Sequence, residues 1–338
     1  MRYRRSKHPW NISEWTDEIA MTGLNEYSLT YPAFIVPRNN DSSLPSKELL
    51  FIYRDGRSGN GDVCIKKFTP SLLTWKDMKP CLLVGRGQSP WTSNAYINHP
   101  AIDSTGSIHL SYVWRALFLG KKKIINNIGI DYAVSNDWGK TWQTSLGIKY
   151  RLPITQVNSE TVYAVSPANN LINQTSSAID SDNNPHIVYY SNDYQGIPQY
   201  QHVWFDGQKW NHSFSSKRTK SFSLQGGGSL DIPISRPEII IDKADRVYLI
   251  YRGDLSNQKM AITRFLPPNY DLKNSSTKIL WSKEHGSAEP VIDRLRWEKE
   301  QILSMFIMKN GRASNRDVSN VQHEPAFIVD WDILSSWK

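Results

Sequence analysis

Three segments of the chain repeat one pattern: AIDSTGSIHLSYVW at 101–114, AIDSDNNPHIVYYS at 178–191 and IIIDKADRVYLIYR at 239–252. Each has an apolar run, an aspartate, a tight polar turn and a second run rich in β-branched and aromatic residues, the sequence pattern of a β-hairpin. Asp103, Asp180 and Asp242 stand 77 and 62 residues apart, which leaves room for four-stranded units with their loops. FIYRDG at 51–56 and LIYRGD at 249–254 echo each other in the same way. Repeated hairpins without helical periodicity predict an all-β chain folded as a β-propeller, a single domain over residues 1–338. A β-sandwich is the main rival, and the unit spacing favours the propeller. SNDWGKTW at 135–142 adds the S-x-D-x-G-x-T-W pattern of an Asp-box, a hairpin turn in which Asp137 bonds its own backbone and Trp142 packs beneath. Such a turn informs on fold and hardly at all on chemistry.

The composition fits a folded core. With 39% apolar and 21% charged residues, disorder is excluded. Polar stretches such as 37–48 read as loops between strands. Forty basic against 32 acidic residues give a net charge of +8, a field that attracts polyanions. The basic residues are scattered, with Lys121 to Lys123 the only run, which argues against a nucleic-acid partner. Cys64 and Cys81 make no disulfide framework, and no Cys/His spacing suggests zinc. MRYRRSKHPW is basic like the start of a signal peptide, but no apolar segment follows it, and no stretch approaches the roughly 20 apolar residues of a membrane span.

Several polar stretches place large side chains beside rigid turns or prolines. Arg54 follows the apolar run Leu50 to Tyr53 and precedes Asp55-Gly56. A strand-end guanidinium held by a turn suits bidentate recognition of a carboxylate or sulfate; the structural alternative is an ion pair with Asp55 or Asp62. Gly56, Gly59 and Gly61 either let the loop approach a ligand or simply turn the chain, and without GK[ST] this is no phosphate loop. Tyr31 precedes Pro32 and Tyr96 follows Asn94-Ala95. A tyrosine near a cation can act as acid or base, against the commoner role of packing. Arg236 of ISRP, Tyr200 and His202 of PQYQH, and His99 of SNAYINHP are the further candidates for substrate contacts. His109, inside a repeat, reads as structural. There is no G-x-S-x-G elbow and no H-E-x-x-H, and the R-I-P motif of sialidases is absent.

Taken in order, TYPAF, LLFIYRDGRSGNGD, NAY, HPAID..GSIHLSYVWR, YAVSNDWGKTW, INQTS, PQY and ISRP resemble the BNR-repeat family that contains the ulvan lyases, polysaccharide lyases with a seven-bladed propeller. The resemblance runs over nearly the whole chain. It implies β-elimination on a uronic acid of an acidic, sulfated polysaccharide: the carboxylate is neutralised, a base removes the C5 proton, and an acid protonates the leaving oxygen. It implies that Tyr31 does the acid/base work, that Arg54 clamps the carboxylate and that Tyr96 assists. Relatives carry an additional first blade with a D-x-H-N segment and an M-H motif holding the family's catalytic histidines. The resemblance therefore implies an incomplete first blade here and impaired turnover. A non-catalytic carbohydrate-binding propeller is the alternative, and a sialidase-like hydrolase the third. NNIGIDYA at 126–133 lacks the histidine and cysteine of the N-H-D-L-C-Y-A of relatives, so a structural metal of theirs is expected to be lost, and no cofactor is required. The family implies a secreted or periplasmic protein; with Met1 as the true start the chain would be cytoplasmic.

Overall fold

The repeated pattern folds as repeated sheets. The computed structural model describes residues 1–21, 28–37, 48–85, 93–116, 127–173, 176–224, 232–283, 285–309 and 324–337; Lys121 to Lys123 and most of the polar stretch 37–48 lie outside these. The described residues form a β-propeller of five blades, each a sequential antiparallel meander. Blade one runs through Leu29–Ile35, Leu50–Arg57, Asn60–Thr69 and Thr74–Leu83. Blade two runs through Ser93–Ile97 with Ala101–Ile102, then Ile108–Ala116, Asn127–Ser135 and Glu160–Tyr163. Blade three comprises Ser176–Ile179, Pro185–Asn192, Pro198–Phe205 and Trp210–Phe214. Blade four comprises Glu238–Ile241, Val247–Arg252, Met260–Phe265 and Ser276–Trp281. Blade five has Val291–Ile292, Leu303–Met308 and Ala326–Trp331. A two-stranded ribbon pairs Arg2–Tyr3 with Ile19–Ala20.

The core lies between blades. Because side chains alternate across a strand, each central strand faces two neighbours and is apolar on both sides. Leu110, Tyr112 and Trp114 pack with Leu50, Ile52 and Val63 of blade one, whereas Val113 between them packs with Ile187 and Tyr189 of blade three. Likewise Ile239 and Leu249 face blade three, and Ile240 and Ile250 face blade five.

The three repeated aspartates share one geometry. Asp103 Oδ1 accepts from the amides of Thr105 and Ser107 at 2.9 and 2.8 Å, and its other oxygen lies 3.0 Å from His109 Nε2. Asp180 repeats this with Asp182, Asn184 and His186, and Asp242 with Ala244, Arg246 and the Tyr248 hydroxyl. The carboxylate shapes the turn and pins the side chain six residues on, so His109 is structural, its other nitrogen 2.6 Å from the Tyr132 hydroxyl. These turns also join blades: the Ser104 amide donates to Asn183 Oδ1, and the Ser181 amide to Asp245 Oδ1. At the later turn, Asp137 accepts from the Thr141 amide at 2.8 Å, and Trp142 is buried.

The two cysteines correct the sequence expectation. Cys64 and Cys81 are disulfide-bonded across the third and fourth strands of blade one. They become opposite only because the pairing shifts register between Val63 and Ile65, which spacing alone does not reveal. Among the described residues no helix is long and apolar enough to cross a membrane.

Although burial raises the Asp103 carboxyl, the His109 bond and the turn bonds overcome it and hold the pKa at about 2. The group's contribution is therefore complete above the unfolded value of about 3.9 and is lost as pH falls towards 2, an effect on the order of 2 kcal/mol. Urea unfolding between pH 5 and pH 2 is expected to show a shallower pH dependence for Asp103→Asn than for the parent; identical slopes would contradict this assignment.

Candidate functional site

The innermost strands of the blades line a central channel, and residues of several blades meet there around a cavity of about 270 Å³ bordered by Tyr31, Ile97, His99, Arg236, Glu238 and Glu289. Tyr31 enters it through a register shift between Thr30 and Ala33 and through a left-handed backbone, φ 55°. A bulge of this kind re-aims a side chain next to a site.

Behind Tyr31 lies a stack of aromatic and guanidinium groups. The Tyr31 and Tyr96 rings meet edge to face at 5.3 Å between centroids. Arg54 and Arg115 each place Cζ 4.4 Å from the centre of the Tyr96 ring. The Tyr96 hydroxyl accepts from the Gly59 amide at 2.9 Å and from Arg115 at 3.4 Å. Burial pushes this phenol up, but Arg115, Arg54 and the Gly59 amide outweigh it and bring the pKa below the ordinary tyrosine value. Tyr31 is moved the other way: burial and the neighbouring Tyr96 raise it against the pull of the arginines.

The structure thus brings together Tyr31, Arg54 and Tyr96, but it gives Arg54 a different task from carboxylate clamping. Arg54 is 0% exposed. Its Nε donates to Ala95 O at 3.1 Å, one terminal nitrogen donates to Arg57 O at 2.7 Å and Thr30 Oγ1 at 3.4 Å, and the other donates to Asn94 Oδ1 at 3.2 Å. A guanidinium so enclosed cannot also present a fork to a sugar. Gly61 explains the glycine loop, because a Cβ there would come within 2.9 Å of the Arg54 Cζ. The loop is then closed by blade two, with Asn94 accepting from the Gly61 amide at 2.6 Å and donating to Gly59 O at 2.8 Å.

Three other candidates are also displaced from their expected roles. Tyr200 is buried and donates to Ser235 O and Arg252 O at 3.0 and 3.2 Å. His202 is buried against Trp204 and Tyr270, with Nε2 2.9 Å from His186 Nδ1. Both belong to the third strand of blade three, sandwiched between blades, and neither reaches the channel. Arg236 does border the cavity, but its Nε already donates to both oxygens of Glu289 at 2.8 and 3.0 Å. His99 is at the rim of the cavity, where partial desolvation of its ring and the Arg294 charge, against the pull of Glu238, hold its imidazole below the usual value.

Sequence reasoning missed Arg115 and Asn173. Arg115 Nε donates to Asn127 Oδ1 at 2.9 Å and a terminal nitrogen donates to Asn173 Oδ1 at 2.7 Å. Asn173 Nδ2 in turn donates to the Tyr31 hydroxyl at 2.8 Å. Since Arg115 can only donate, it fixes the Asn173 amide, and the Tyr31 oxygen must accept; the Tyr31 proton is left to point elsewhere. The signal was present, because YVWR at 112–115 repeats the strand-end arginine of FIYR and LIYR. In segment 127–133, Asn127 serves Arg115 and Asp131 accepts from Trp114 Nε1 at 2.8 Å; among the described residues no group of three acidic, His or Cys side chains converges as metal ligands would.

The family described as BNR repeat-containing matches residues 1–218. No curated protein matches the chain. Among solved structures, the chain is similar to an ulvan lyase of polysaccharide lyase family PL25, at 16% identity and a TM-score of 0.55, covering 78% of this chain and 57% of that one. A second structure of that lyase is bound to -[GlcA(1-4)Rha3S]-. The polysaccharide lyase Uly1 aligns at 14% identity and a TM-score of 0.57, over 89% of this chain and 57% of that one. A Hadza microbial sialidase aligns at 12% identity and a TM-score of 0.53, over 84% and 54%. The chain thus spans little more than half the length of these proteins.

Replacing Arg54 by Met is expected to lower stability by about 2–4 kcal/mol in urea unfolding, since it strips several buried acceptors of a charged donor. Lys at position 54 should not restore it, because one ammonium cannot serve acceptors arranged for a planar fork. Unchanged stability in both variants would contradict the structural role assigned to Arg54.

Proposed function

The chain belongs to the BNR repeat-containing family, and from that premise we propose that its channel cavity receives a uronate residue of an acidic polysaccharide for cleavage by β-elimination. The observation that carries this reading is the Tyr31 hydroxyl, which borders the cavity, accepts from Asn173 and keeps its own proton free to donate. With its pKa raised by burial, Tyr31 stays protonated at neutral pH and acts as the acid. It gives its proton to the glycosidic oxygen as the C4–O bond breaks. The C5 proton goes to His99, whose imidazole is neutral and faces the same cavity. The electron pair of the C5–H bond becomes the C4=C5 double bond. Arg236 supplies positive charge beside the sugar carboxylate, tempered by Glu289. Tyr96, Arg115 and Arg54 are positioning residues that hold Tyr31 and its asparagine.

The +8 net charge favours a polyanionic partner, and the GlcA(1-4)Rha3S unit held by the PL25 lyase is the chemical model for the sugar. The same proposal takes the full ring as seven-bladed, with the five described blades belonging to it. A secreted or periplasmic location is part of the reading, supported by the Cys64–Cys81 bond, since disulfides persist in oxidising compartments. A second reading, a propeller that binds acidic carbohydrate without cleaving it, is favoured by one observation: Arg54 and Arg236 both have protein partners for their guanidinium groups.

Ulvan mixed with the purified protein is expected to give a growing ultraviolet absorbance from the conjugated unsaturated uronate, slowed by about 100-fold or more in Tyr31→Phe. Because His99 must be neutral to accept a proton and its pKa is lowered, the rate should persist as pH falls to about 6.5, the ordinary histidine value, and drop only below it. A folded protein that binds ulvan in calorimetry without any absorbance change would establish the binding reading instead, and absence of binding would overturn both.

A further inference from the structure

Two segments, 232–238 and 285–291, wall the channel cavity on one side and a second cavity on the other. The second has a volume of about 560 Å³ and lies at one end of blade four, bordered by Pro233, Arg252, Gln258, Lys259, His285 and Ser287 among others. Arg252 is part of its wall: buried, it donates through Nε to Ala288 O at 3.0 Å and through its terminal nitrogens to Ile232 O, Pro233 O and the Gln258 side chain. The turn above it is strained, with Asn257 and Gln258 both left-handed at φ 51° and 62°, a state that non-glycine residues keep where the surroundings impose it.

His285 is the unusual group. It is 1% exposed, and its Nδ1 lies 3.0 Å from Lys283 O. A carbonyl oxygen only accepts, so Nδ1 carries the proton and Nε2 is left with a lone pair. That buried Nε2 has no hydrogen-bond partner among the described residues. Buried polar atoms without partners are uncommon, and each calls for a reason. A buried lone pair at a cavity that Lys259 also borders asks for a hydroxyl donor that carries negative charge.

We propose that this cavity is a second sugar site, which takes an anionic, hydroxyl-bearing sugar whose hydroxyl donates to His285 Nε2 while Lys259 meets its acid group. The choice of a sugar rests on the proposed function; the need for a hydroxyl beside an anion rests on His285 and Lys259 alone.

The test follows the ¹⁵N resonance of His285 Nε2, assigned with His285→Gln, while D-glucuronate is titrated into the full chain carrying Tyr31→Phe. The resonance is expected to move to lower frequency as the lone pair accepts a hydroxyl, and Lys259→Ala should weaken the binding read from it about tenfold, the loss of one charge-assisted contact. Inorganic sulfate, which brings charge without a hydroxyl, should leave the resonance in place. A His285 signal unmoved by saturating glucuronate, moved equally by sulfate, or indifferent to Lys259→Ala would overturn the site. Movement at His285 in a protein that never produces unsaturated uronate would keep this site and remove the lyase reading; elimination with a silent His285 would do the reverse.

Discussion

A guanidinium taken out of water must find protein partners for its N–H groups, and the burial of Arg54 imposes that requirement on two blades at once. The partners it finds are a carbonyl and an asparagine of blade two, and a carbonyl and a hydroxyl of blade one. Meeting them forces the glycine at 61, places Asn94 across the interface, and sets one face of the Tyr96 ring against a positive charge. Arg115 stacks on the same ring and reaches through Asn173 to the Tyr31 hydroxyl. The chemistry available at the channel is thus a consequence of how neighbouring blades are fastened.

The fastening is itself repeated. Arg252 at the end of the second strand of blade four and Arg54 within that of blade one both donate Nε to the carbonyl of an alanine further along the chain, Ala288 and Ala95. The residue after that alanine is Tyr96 in one place and Glu289 in the other. One interface therefore ends in a phenol flanked by cations, the other in a carboxylate paired with Arg236. In blades two, three and four the second strand begins at an aspartate turn, and these turns carry a second set of contacts between blades. The candidate site lies where these pseudo-equivalent positions have taken different side chains.

The architecture was legible because a hairpin repeat leaves marks that survive in a single sequence: an aspartate, a tight turn and a run apolar on both sides. The meeting of Tyr31, Arg54 and Tyr96 was legible too, through the T-Y-P, Y-R-D-G and N-A-Y motifs. What the side chains do there was not. PQYQH looks polar, yet Tyr200 and His202 sit between two blades, where partners 35 and 16 residues away in the chain satisfy them. Arg54 reads as exposed at a strand end because its acceptors, Asn94 and Ala95, are 40 residues on and belong to another sheet. The Cys64 and Cys81 bond depends on a local register shift, and Arg115 needed the strand-end echo to be taken as seriously as the aspartate echo.

The two arginines govern Tyr96 electrostatically, and the most direct measurement of this is its ionisation. With ¹³C-labelled tyrosine and Tyr96→Phe to assign the ring carbon bearing the hydroxyl, an NMR titration should show Tyr96 losing its proton below the ordinary tyrosine value of about 10, with Arg115→Gln moving the midpoint upward. A midpoint at or above that value in the parent protein, or one that ignores Arg115→Gln, would contradict the stack as the organising feature of the site.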